Sequence, residues 1–151
     1  MKAVLISLLL NWISGQNFSP MDLDGDWKFA GMYCGGELVE FKGFVGELKI
    51  RGNTLVEQRR TTLFKCETRS VFDFKVEGDR MYAAEQSLDC SSRGEDVPNC
   101  WHVFFEDEKA RMLSCEETAP KARIYEINVS GDVLKRRYRA GGVTCIEAFL
   151  R

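Results

Sequence analysis

Between Phe64 and Val76 the chain alternates with a period of two. Phe64, Cys66, Thr68, Ser70, Phe72, Phe74 and Val76 fall on one side; Lys65, Glu67, Arg69, Val71, Asp73 and Lys75 fall on the other. Successive strand side chains point to opposite faces, so this spacing predicts a long strand with one apolar and one charged face. A helix would not bring Phe72, Phe74 and Val76 together. Glu77-Gly78-Asp79-Arg80 then reads as a hairpin turn, and the rest of the chain as further strands continuing this wall.

A first strand follows Gly25-Asp26-Trp27, with Trp27, Phe29, Gly31 and Tyr33 alternating with Lys28, Ala30 and Met32. Gly35 to Gly43 reads as a long loop containing one helical turn. Four glycine-centred turns come next: Gly52-Asn53, Gly78-Asp79, Gly131-Asp132 and Gly141-Gly142. Each suits a two-residue hairpin in which glycine supplies a positive φ. Residues paired across such a hairpin share a face. Gly52-Asn53 therefore pairs Ile50 with Leu55, Leu48 with Glu57 and Gly46 with Arg59. Gly78-Asp79 pairs Val76 with Met81, Phe74 with Ala83 and Phe72 with Glu85. Gly131-Asp132 pairs Val129 with Leu134, Ile127 with Arg136 and Tyr125 with Tyr138. Gly141-Gly142 pairs Tyr138 with Cys145, Arg136 with Glu147 and Leu134 with Phe149. The last two hairpins share a strand and agree on its inner face.

Cys100 to Phe105 and Met112 to Cys115 read as two more strands, preceded by a polar loop from Ser91 to Asn99. The pattern predicts an all-β fold: an antiparallel up-and-down meander of about eight to ten strands. Closure into a barrel removes the exposed edges of such a meander. Residues 16–151 form a single domain in this reading, without repeat, linker or low-complexity segment.

The N-terminus changes the picture. Lys2 precedes an apolar run from Ala3 to Leu10, and Ser14-Gly15 offers small residues for cleavage. Residues 1–15 read as a secretory signal peptide, too short to span a membrane as a helix. An uncleaved anchor or a buried N-terminal segment is the alternative. All six cysteines, Cys34, Cys66, Cys90, Cys100, Cys115 and Cys145, lie beyond it. An even number in an exported chain implies up to three disulfides, with 15 possible pairings. Asn17-Phe-Ser and Asn128-Val-Ser are glycosylation sequons, the second beside a turn.

Gly25-Asp26-Trp27 at the head of the first strand resembles the Gly-x-Trp motif of lipocalins, in the calycin superfamily. A long loop after strand one followed by a hairpin meander also resembles that family. Of the lipocalin Thr-Asp-Tyr motif only Asp107 matches, and no residue is securely identified with the family's C-terminal arginine. The resemblance implies a barrel that carries a small ligand. It also implies a disulfide from a mid-barrel strand to the C-terminal region, for which Cys66 and Cys145 fit. Cys90–Cys100 would then close the polar loop, and Cys34–Cys115 follows by elimination.

Composition limits the chemistry. The 151 residues carry 21 basic and 23 acidic side chains, which gives no electrostatic case for nucleic acid. There is no Cys-x-x-Cys and one histidine, His102, so neither a metal site nor a hydrolytic triad is indicated. We expect no enzyme and no cofactor. The acidic turn Asp22, Asp24 and Asp26 reads as exposed, and Lys135, Arg137 and Arg139 as one solvated row.

The predicted interior is more telling. Glu57, Arg59, Glu85, Arg136 and Glu147 face inward beside Phe72, Phe74, Tyr125 and Tyr138. Buried charges are costly unless paired. In one reading Arg136 and Glu147 form an ion pair that plugs the lumen. In the other, Arg59 or Arg136 holds the anionic head of an amphiphile, with Tyr125 and Tyr138 donating hydrogen bonds. The leading expectation is a secreted, non-catalytic carrier of a small hydrophobic or amphiphilic molecule. The alternative is a secreted barrel with a filled lumen that meets a protein partner through its outer surface, as an effector, inhibitor or assembly component. An open cavity of several hundred cubic ångströms would favour the carrier.

Overall fold

Eight antiparallel strands close on themselves in the computed structural model, which describes residues 2–39, 44–61, 66–92, 101–106, 109–114, 122–140 and 142–151. The barrel strands are β1 (Gly25–Cys34), β3 (Phe44–Arg51), β4 (Thr54–Thr61), β5 (Cys66–Glu77), β6 (Arg80–Ser92), β9 (Ala122–Ser130), β10 (Val133–Ala140) and β11 (Val143–Leu150). They pair in that order, and β11 returns to β1 to shut the seam. A short β2 (Glu37–Val39) folds back on the end of β1. The expected antiparallel barrel therefore forms, with one strand more.

The glycine turns set the registers expected of them. Phe72 lies opposite Glu85, Leu48 opposite Glu57, Ile127 opposite Arg136, and Arg136 opposite Glu147. Gly52, Gly78 and Gly131 hold φ of 59°, 64° and 58°, the left-handed region such turns require. The structure departs from the sequence pattern in three places. Gly35 to Gly43 does not read out as a loop with a helical turn; its described part contains β2. The strands β7 (Trp101–Glu106) and β8 (Lys109–Ser114) form a separate two-stranded sheet, while β6 pairs directly with β9.

The third departure is in the cysteines. Cys34 is bonded to Cys145, with Cα atoms 4.2 Å apart, so neither Cys66–Cys145 nor Cys34–Cys115 forms. The cause is a bulge in β1: Phe29 pairs with Phe149 and Gly31 with Ala148, leaving Ala30 as an extra residue. An extra residue reverses the alternation beyond it. Cys34 then faces inward, directly opposite Cys145 across the seam, whereas Cys66 lies on β5, whose partners are β4 and β6. Cys90 is also disulfide-bonded; Cys100, the partner expected for it, and Cys115 lie outside the described residues.

The apolar core fills the end of the barrel where these turns lie. Trp27, Ile50, Leu55, Phe74, Met81, Ile127, Leu134 and Phe149 are all buried there. A single helical turn, α2 (Pro20–Leu23), brings Leu23 into the core. The Trp27 indole N–H donates to the Leu23 carbonyl at 2.9 Å, and the Arg151 guanidinium lies 4.2 Å over the indole ring. Each such side chain, fully buried, contributes about 1.5–3 kcal/mol.

The N-terminal helix α1 (Lys2–Leu10) packs on the outside of the wall. Leu9 is fully buried against Ile146 and Ala148, with Leu5, Leu8 and Trp12 around it. Helix and wall meet closely at Gly31, where a Cβ would stand 2.8 Å from a Leu5 methyl.

Candidate functional site

Above the apolar core, the lumen is crossed by charge. β4, β10 and β11 are pinned by their hairpins so that Glu57, Arg136 and Glu147 all point inward. All three are buried, Arg136 to 3% exposure. Arg136 donates through Nε to Glu147 Oε2, and through Nη1 and Nη2 to Glu57 at 3.2 and 2.9 Å. Arg59 donates to the same Glu57 through Nε at 2.7 Å, and through Nη2. Its guanidinium lies 4.0 Å from Glu147. The Tyr138 hydroxyl donates to Glu147 Oε1 at 2.9 Å.

Aromatic rings support this layer. The Arg136 guanidinium sits 4.6 Å from the Tyr125 ring centroid and 5.0 Å from that of Phe149. Tyr125 meets Tyr138 edge to face at 5.5 Å. The guanidinium is thus sandwiched by π-faces while both carboxylates take its donors.

The electrostatic consequence is a fixed charge state. Burial alone would raise the Glu57 carboxyl, but Arg136, Arg59 and Arg123 outweigh it and hold the group far below the carboxylate range. Burial would lower Arg136 and Arg59, yet Glu147 and Glu57 keep both above the usual arginine value. Burial, with Glu147 next, raises the Tyr138 phenol, and burial raises Tyr125. Glu57, Arg59 and Arg136 thus stay charged, and Tyr125 and Tyr138 neutral, around neutral pH.

Next to the layer lies a small pocket. Glu57 and Arg59 line it from β4, Thr68, Ser70 and Phe72 from β5, Glu85 from β6 and Arg123 from β9. The space open to the centre of a water molecule is about 10 Å³, room for one water. Arg123 brings a buried Nε with no hydrogen-bond partner among the described residues.

The structure brings together Arg59, Tyr125, Arg136 and Tyr138, with Glu57 as a second carboxylate beside Glu147. Phe72 and Glu85 line the pocket; Phe74 belongs to the apolar core instead. Arg123 was not foreseen. It stands two residues before Tyr125 on β9, so the period that places Tyr125 inward places Arg123 inward too. Asn17 is exposed, whereas Asn128 is fully buried. The side chain of His102 lies outside the described residues.

Among the described residues no group of three or more His, Cys, Asp or Glu is placed to hold a metal ion. No described helix is long and apolar enough to cross a membrane. Comparison with protein-family models, with curated proteins and with solved structures finds no match to this chain.

Proposed function

We propose that this chain is a secreted, non-catalytic binding protein of lipocalin-like build that receives the anionic head of a small amphiphilic molecule. The observation that carries this is Arg123: a guanidinium nitrogen buried at a pocket with no partner among the described residues. An unsatisfied buried donor costs free energy, and an incoming acceptor recovers it. Arg136 does not serve as the anchor, because Glu57 and Glu147 already take its donors. Thr68 and Ser70 add hydroxyls and Phe72 an apolar wall. The pocket has room for one water, so the head group enters only when Arg59, which is partly exposed, turns aside. Support for the lipocalin likeness comes from the closed eight-stranded barrel and from Trp27 of Gly25-Asp26-Trp27, buried at its packed end.

The ion-paired layer, and a pocket with room for one water instead of several hundred cubic ångströms, favour a second reading. A lumen closed by Arg136, Glu57 and Glu147 leaves the outer surface as the working part, as in an effector, an inhibitor or an assembly component. Native mass spectrometry of the protein from its own source, with titration of a medium-chain fatty acid, its methyl ester and the matching amine, separates the two. The acid should bind, the ester and amine should not, and Arg123→Gln should weaken the acid at least about tenfold, or 1.4 kcal/mol. No bound small molecule and no response to any of the three would leave the outer-surface reading standing.

A further inference from the structure

Outward positions on β9 are open to solvent with one exception. Ile124 is 59% exposed, and Glu126 and Ser130 are partly or fully exposed. Asn128, on the same face, is 0% exposed. What covers it is the N-terminal segment. The Ile13 N–H donates to Asn128 Oδ1 at 3.4 Å, and Asn128 Nδ2 donates to the Ile13 carbonyl at 2.7 Å. Gln16 bonds the backbone of Val129 on both sides, at 2.8 and 3.0 Å. Lys135, paired with Asn128 across the strands, donates to the carbonyls of Leu8 and Asn11 at the end of α1. Arg137 stacks 4.2 Å over Trp12.

Asn128-Val129-Ser130 is also a sequon. We infer that Asn128 is an N-glycan acceptor covered by residues 2–16, so that the glycan and the docked segment are alternatives at one place on the wall. The modification joins Asn128 Nδ2 to C1 of a sugar carried on a lipid diphosphate. The bond from C1 to the diphosphate oxygen breaks, the lipid diphosphate leaves with that electron pair, and the amide gives up one proton. The sugar then occupies the space beside Nδ2 that the Ile13 backbone fills. Removal of residues 1–15 clears that space and returns Asn128 to the exposure of its neighbours. This inference rests on the export part of the proposed function and is independent of the ligand.

The test is expression of the full chain in a glycosylating secretory host, with intact-mass and fragment-mass spectrometry that reads the N-terminus and the Asn128 state on the same molecule. Glycan at Asn128 is expected on chains that begin after Gly15, and Ser130→Ala, at an exposed position, should remove that glycan mass from every chain. Chains that keep Met1 should be bare at Asn128 or, if glycosylated, should show residues 2–16 open to protease. Exported chains that are bare at Asn128 overturn the inference, as does a glycosylated chain with residues 2–16 protected. Chains that stay in the cell, begin at Met1 and are bare at both Asn17 and Asn128 also overturn it, by removing export, while the ligand titration stands apart.

Discussion

The two faces of the β10–β11 ribbon are both buried, by different means. Inward, Arg136 and Glu147 belong to a lumen layer in which every charge has an opposite partner. Outward, Lys135 matches Arg136 at 3% exposure, yet it meets backbone carbonyls of residues 8 and 11 and, among the described residues, no carboxylate. Burial accordingly lowers the Lys135 ammonium, while carboxylates hold Arg136 above its usual value despite burial. Equal burial thus means different things. The inner charge is held by strands of the barrel, whereas the outer one depends on the N-terminal segment laid over it.

Arg136→Ala should break the inner face most severely. Removing one partner from a buried pair costs about 3–5 kcal/mol, because the carboxylates left behind are uncompensated. A thermal melt with a loss of less than about 1 kcal/mol would show that the layer is hydrated. Cys145→Ser opens the seam beside the same layer and should cost about 2–5 kcal/mol, with exposed Thr144→Ala as a silent control in the same denaturant titration.

Glu57→Gln sharpens the contrast through pH. The folded pKa of Glu57 lies below its unfolded value of about 4.3, so its stabilising contribution is complete above that pH and is lost as pH falls through the folded pKa. The gap in melting temperature between wild type and Glu57→Gln should be widest at neutral pH and narrow below about pH 4. On the outer face, Arg137→Ala should cost only about 0–1 kcal/mol, since its partner Glu126 is 39% exposed. If Arg137→Ala proved worse than Arg136→Ala, the facing of β10 would be inverted.

Much of this was legible because hairpin turns fix parity. Gly52, Gly78, Gly131 and Gly142 determine which residues face in, and the Arg136–Glu147 pair follows from two hairpins that agree. The bulge at Ala30 was not legible. One extra residue leaves no mark in the alternation of Trp27, Phe29, Gly31 and Tyr33, yet it turns Cys34 inward and decides its disulfide. The separate β7–β8 sheet was hidden for a related reason: a hairpin reads the same whether it joins a wall or stands apart. Lys135 was read as solvated because period-two reasoning separates inside from outside, and has no term for a helix laid over the outside.

The Cys34–Cys145 bond joins residues 111 apart in sequence, across the β1–β11 seam. The first barrel strand therefore waits for the last. During synthesis β1 has β3 as a neighbour but an open second edge, and that edge stays unsatisfied until the C-terminal residues have emerged. Closure is a late, non-local event, of the kind that makes barrels slow to fold and prone to aggregate while incomplete. A ribosome stalled short of Thr144 would hold a chain with most of its sheet and no means of locking it.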